Sequence, residues 1–425
     1  MGHFDIISNE QAPTLPGDAP SQPLRSLLPV LVLLLIFTGC TKVDYNSVPS
    51  PSYLRVFNSL NYTTTIANKD QPPPFLTMVI DPTYDSASHV VTGGSVVGDF
   101  LDARLGYAPP APNNAGSTSL INNEYPGNAK VLTAPILNGF DLSSWAEIIS
   151  GKHRFVFYSR PRNQTAFFQL PAASRTVVLA DSTINMIQGE IYTMEVLQPD
   201  AYNSHTQLYI RQEQFQHQAF ADSLLYVNFY NLSSANYMSY AVAAALDAPN
   251  AYNNTRVIRD TMNVYYSLFQ PDNINGPAGN NYIPGYKNIY LTSLIRSLQP
   301  SIAPYFSIPL FAAADTTGGI LSQEWELFTF LSPAYQMPDN PFSSQTAITG
   351  SFSTLQCTDS YYWLARQNGG SFGTGGMGET PNLAITTASG KYHARSFATV
   401  STVEYINSQV YVMSVQRVYA PPTGD

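Results

Sequence analysis

Hydrophobic and polar positions alternate with a period of two along much of this chain. In residues 52–60, Leu54 and Val56 flank Arg55, the spacing of a strand with one buried face. Residues 225–233 repeat the pattern, with Val227 and Phe229 flanking Asn228. Further strands read at 151–157, 191–196 and 410–415. One segment reads differently. Leu291, Leu294, Ile295 and Leu298 follow i, i+3, i+4, i+7, and Pro300 lies just beyond, so the pattern predicts a helix over 288–298. The longest apolar run, 27–37, is broken only by Pro29. It falls short of the roughly 20 residues of a spanning helix and has the length of a signal-peptide core.

Composition sharpens the β reading. Tyr (28) and Phe (22) are abundant, and Thr, Ser and Asn fill polar positions. Aromatic and β-branched residues fit a pleated, half-buried surface. The 32 prolines and 26 glycines fit frequent turns and long loops, such as 71–74, 107–116, 272–281 and 367–380. Charged residues make up only 12%, and the net charge is -9. That balance argues against nucleic acid, whose phosphates need a basic footprint.

The apolar run ends in Phe37-Thr38-Gly39-Cys40. Small residues before a cysteine resemble the lipobox of bacterial lipoproteins, in which that thiol is lipidated and becomes the new N-terminus. The resemblance implies an outer-membrane lipoprotein of the bacterial cell envelope. A polar leader precedes the signal core, and a proline-bearing tether, 41–51, follows Cys40. Cys357 is the only other cysteine, so a lipidated Cys40 leaves no intramolecular disulfide. No His or basic residue adjoins Cys357 in sequence to lower its thiol pKa.

Three stations recur in the same order. Residues 54–58 match 227–231, Ser150-Gly151-Lys152 matches Ser389-Gly390-Lys391, and 191–196 matches 410–415. The order points to a duplicated domain. The spacing differs between copies, so the first is expected to carry an extra hairpin within 160–180. The opening strand Leu54-Arg55-Val56-Phe57-Asn58-Ser59 and the strand Gly151–Phe157 are similar to a family of Bacteroidota envelope lipoprotein domains of unknown function. The resemblance implies Ig-like or transthyretin-like β-sandwiches and no assigned chemistry.

Motifs for catalysis are weak. Gly373-Thr-Gly375-Gly376-Met-Gly378 fits G-x-G-x-x-G but is followed by Pro381 and no helical period, so it reads as a loop. His89, His153, His205, His217 and His393 lack zinc-ligand spacing, and Asp81, Asp85 and Asp99 do not form a calcium loop. Aromatic residues remain as candidates for sugar binding. Tyr107, Tyr125 and Tyr282 sit in loop-like contexts, and Trp363 ends the run Tyr361-Tyr362-Trp363. A second run is Val264-Tyr265-Tyr266. Core packing competes with binding for every such ring, including Trp145 and Trp325. Asp-Ser/Thr tripeptides make Ser86, Ser182, Ser223, Thr261 and Thr316 candidates for O-glycosylation, through likeness to the signal used on exported Bacteroidota proteins.

The sequence therefore predicts an all-β protein of two tandem Ig-like or transthyretin-like sandwiches with at most short helices. Residues 1–39 are leader and signal peptide, 40–51 lipidated cysteine and tether, 52–215 the first sandwich and 223–420 the second. The expected role is a non-catalytic binding or adhesion module without cofactor or metal, held to the membrane by its lipid and meeting glycan or envelope protein. The alternatives are a subunit of a fibre or envelope assembly, and a hydrolase or polysaccharide-utilisation accessory.

Overall fold

The computed structural model describes residues 48–60, 62, 66, 68–104, 132, 134–203, 205–221, 224–236, 260–269, 282–309, 325–331, 355–358, 382–386, 399–407 and 409–417. Val48–Asp425 form one compact unit. Cys40 and residues 41–47 of the tether, Tyr107, Tyr125, Trp363, Ser223, Thr316, the glycine run at 373–378 and Ser389-Gly390-Lys391 lie outside the described residues.

The described chain is all-β. The first half contributes β1 (Pro51–Asn58), β2 (Phe75–Tyr84), β3 (Val91–Leu101), β4 (Ile136–Leu137), β5 (Phe140–Asp141), β6 (Ala146–Ile149), β7 (Gly151–Arg160), β8 (Val178–Met186), β9 (Ile191–Leu197) and β10 (Gln207–Gln212). The second half contributes β11 (Leu224–Asn231), β12 (Thr261–Phe269), β13 (Ile289–Ile295), β14 (Phe306–Pro309), β15 (Trp325–Leu331), β16 (Leu355–Thr358), β17 (Asn382–Thr386), β18 (Thr399–Ile406) and β19 (Gln409–Gln416). The described helical pieces are 3-10 turns at Phe167–Gln169, Ala172–Arg175 and Phe215–His217.

Two sandwiches stand back to back. In the first, an outer sheet β3-β2-β7-β8 faces a central sheet β10-β9-β1-β6. In the second, a central sheet β14-β11-β18-β19 faces an outer sheet β13-β12-β15-β17-β16. Alternation places Leu54, Val56, Met78, Phe157 and Met194 in the first core, and Val227, Phe229, Val264, Phe328 and Val403 in the second. Each central sheet contains one parallel pair, β1 with β9 and β11 with β18. The opposite faces of the two central sheets also pack on each other. Tyr53, Trp145 and Ile191 meet Val400 and Val415, and Leu197 and Tyr209 meet Tyr230 and Tyr411. Phe215, between β10 and β11, is buried in this seam.

Three expectations are corrected. The segment read as a helix is β13, paired with β12. The register shifts there: Thr292 lies opposite Val264, but Tyr290 lies opposite Tyr265. Leu291 is the extra residue of a β-bulge. It packs on the core, as does Leu294, so two inward side chains stand three positions apart as on a helix. Residues 160–180 hold two 3-10 turns in place of the expected hairpin. Finally, the counterpart of β9 is β18, not β19. Asn58 lies opposite Val196 and Asn231 opposite Tyr405, which superposes Thr193-Met194-Glu195 on Thr402-Val403-Glu404. In the same pairing order β15 stands where β7 stands, so Ser389-Gly390-Lys391, which follows β15, cannot match Ser150-Gly151-Lys152 before β7.

Candidate functional site: an exposed tyrosine face and a sealed charged seam

The bulge in β13 has a consequence for the outer face of the second sandwich. Ser293 lies opposite Asn263, and both point outward. Strict alternation from Ser293 would turn Leu291 outward and Tyr290 into the core. The inserted residue reverses this. Tyr290 emerges opposite Tyr265, the ring centroids 5.5 Å apart in an edge-to-face pair. Tyr290 is 52% exposed and Ile295, farther along the strand, 66% exposed, while Tyr265, Asn263 and Thr261 are half-buried.

Hydroxyls tie this face together. Ser293 Oγ donates to Asn263 Oδ1 at 2.7 Å and lies 3.0 Å from the Tyr290 hydroxyl. The Asn263 amide NH2 makes no hydrogen bond among the described residues. The stripe formed by Thr261, Asn263, Tyr265, Tyr290, Ser293 and Ile295 carries no charge. At the strand ends Arg296 Nε and Asp260 Oδ1 neutralise each other at 3.1 Å.

The second cluster is hidden in the seam. Arg104 Nη1 and Arg211 Nη2 each donate to one oxygen of Glu404 at 2.7 Å. Glu195 comes from the facing central sheet. Its Oε2 accepts from Ser59 Oγ at 3.1 Å, and both arginines stand off at 3.8 Å. Glu213 Oε1 accepts from Arg211 Nε at 2.9 Å and Thr193 Oγ1 at 2.7 Å. Aromatic faces wrap the cations: Arg104 lies 3.8 Å from the Phe57 centroid and 4.2 Å from Tyr411, and Arg211 lies 4.4 Å from Tyr230. Glu195 and Glu404 are both 0% exposed.

The two carboxyls titrate apart. Burial, and then the negative Glu404 beside it, push Glu195 well above the usual carboxylate range. Burial also opposes ionisation of Glu404, but Arg104 and Arg211 outweigh it and hold that carboxyl below the usual range. With Glu195 protonated, Arg104 and Arg211 balance Glu404 and Glu213. A sealed cluster offers no access to substrate, so its chemistry is that of a structural joint.

Among the described residues, those singled out from the sequence are not assembled into one site. Tyr282, expected to be exposed in a loop, is half-buried with Lys287 Nζ 4.9 Å above its ring. Ser86 is exposed in the turn between β2 and β3, Ser182 is half-buried within β8, and Thr261 begins β12 beside the tyrosine face. Cys357 lies on β16 opposite Leu383. Trp145 is a core residue of the seam, beneath Arg55 at 4.8 Å. His153 Nδ1 meets Asp81 at 2.6 Å and His217 meets Glu190, each as a local pair. Among the described residues no group of His, Cys, Asp or Glu is placed to hold a metal. Sequence reasoning noted Tyr265 in an aromatic run but missed Tyr290, Ser293 and the Glu195–Glu404 pair. The signal for the pair was present, as the shared Thr-x-Glu of β9 and β18.

Comparison of the chain with protein-family models and with curated proteins finds no match.

Proposed function

We propose that this chain is a non-catalytic, lipid-anchored envelope protein that binds neutral glycan on the β12–β13 face. The observation that carries the reading is the outward Tyr265–Tyr290 pair with Ser293 and Asn263 beside it. A pyranose presents an apolar C–H face ringed by hydroxyls. Tyrosine rings offer the matching flat surface, and a neighbouring amide and hydroxyl orient the hydroxyl groups. The absence of charge on the stripe favours a neutral ligand. The back-to-back sandwiches support the same reading, since a rigid body holds the face in a fixed geometry. Cys40 supplies the attachment, with acyl chains on the thiol and on the new N-terminus.

The test is a glycan array probed with the mature chain, followed by the Tyr290→Ala and Asn263→Ala variants. Retention of neutral glycans by the native chain, reduced about tenfold or more in Tyr290→Ala at unchanged circular dichroism, is the expected result; that factor corresponds to about 1.4 kcal/mol. Undiminished retention by both variants, or none by the native chain, removes the proposal. Concentration-dependent polymerisation without glycan retention favours a fibre subunit instead.

A further inference from the structure

We propose that the Glu195–Glu404 carboxyl pair is a proton-dependent latch between the two sandwiches: one proton held by the pair keeps the seam closed, and its loss loosens the contact between the central sheets. The inference is independent of what the outer face binds.

The geometry assigns the proton to Glu195. Glu404 already accepts the two short arginine bonds, one on each oxygen. Glu195 receives a single hydroxyl bond from Ser59, and its Oε1 has no hydrogen-bond partner. A second negative charge at Glu195 would face Glu404 in a site that water does not reach, with Arg104 Nη1 and Arg211 Nη2 already donating to Glu404 and Arg211 Nη1 no nearer to Glu195 than 3.8 Å.

β1 and its end bring Arg55, Phe57 and Ser59, and the segment after β3 brings Arg104. β9 brings Thr193 and Glu195, and β10 brings Tyr209, Arg211 and Glu213. From the other sandwich, β11 brings Asn228 and Tyr230, the segment before β14 brings Tyr305, itself held protonated by burial, β18 brings Glu404, and β19 brings Tyr411. The tyrosine hydroxyls at 209, 230 and 411 are all held protonated by burial, so none titrates before Glu195. Asn228 is 0% exposed, and neither atom of its amide has a hydrogen-bond partner.

The sign follows from the direction of the shift. Native Glu195 holds its proton where the unfolded carboxyl has released it, so opening releases a proton. The stabilisation is complete below the ordinary carboxyl range, near pH 4.3. It declines as pH rises towards the raised native value and is flat beyond it. Within that window each pH unit lowers the closed-to-open ratio about tenfold.

The experiment measures amide hydrogen exchange of β9 and β18 in the intact mature chain from pH 5 upward, corrected for intrinsic exchange, beside Glu195→Gln. Native protection is expected to fall about tenfold per pH unit in the window, and that of Glu195→Gln to stay level, because a neutral amide replaces the protonated acid. Equal pH slopes in both chains overturn the proposal. Should Glu195→Gln fail to fold, calorimetry of native unfolding near neutral pH, in buffers of different ionisation enthalpy, decides instead. Release of about one proton per chain beyond that from ordinary groups supports the latch, and no such release overturns it.

Discussion

Glu195 and Glu404 occupy the same register position in two strands that are 209 residues apart, and their carboxyls meet across the seam. Each sits on the strand that runs parallel to the opening strand of its half, opposite Phe57 and Tyr230 respectively. Contact between equivalent positions is the signature of a two-fold interface between like subunits. Here the like subunits are two halves of one chain. The environments nevertheless differ: both arginines come from the first half, and both hydrogen-bond Glu404.

Glu404 is therefore the anchor of the joint. Glu404→Ala leaves Arg104 and Arg211 in a dry seam without that carboxylate. A destabilisation of about 3–5 kcal/mol is expected, because a buried charge is costly once its partner is gone. Urea unfolding of the mature chain checks this. A loss below about 1 kcal/mol would show that water reaches the seam.

The exposed pair Arg154–Asp181 provides the contrast. Its two hydrogen bonds resemble those in the seam, but the side chains are 45% and 40% exposed. Asp181→Asn is expected to change stability by less than about 1 kcal/mol, with the difference shrinking in high salt. Thermal melts at two ionic strengths measure it.

Deleting Leu291 tests the bulge. Without the extra residue, Tyr290 follows Thr292 directly, so alternation from Ser293 keeps Tyr290 outward opposite Tyr265, and only the core contact of Leu291 is lost. The expected outcome is a lowered melting temperature with glycan retention kept, whereas Tyr290→Ala loses retention at nearly unchanged stability. Loss of retention by the folded deletion variant would show that the face needs the bulge geometry itself and not only the outward Tyr290.

Gly94 has φ +127, and a Cβ there would lie 2.8 Å from Val79 Cγ1 and 3.0 Å from the Ile80 carbonyl oxygen. Gly94→Ala combines backbone strain with a clash against β2 and is expected to destabilise by more than about 1 kcal/mol. A chemical denaturation midpoint equal to that of the native chain would contradict it.

Cys40→Ala addresses attachment. Under the proposed anchoring, the variant expressed in a bacterial host moves from the membrane fraction to the soluble fraction. Membrane retention equal to the native chain would remove the lipid from the account.

Alternation by itself determined the class of the fold and several strands, because a one-residue repeat is a local property of any sheet with one buried face. Leu54, Val56, Val227 and Phe229 were legible for that reason. Partner choice was not local. The strand 410–415 resembles β9 in side-chain pattern, yet hydrogen bonding to β11 puts β18 in that place, and only this register brings Glu404 to Glu195. Tyr290 was hidden by the bulge, which spaces inward residues as a helix does and is specified by pairing with β12. Strand-forming residues were thus written in the sequence, whereas the tyrosine face and the acid pair arose where separate strands were brought side by side.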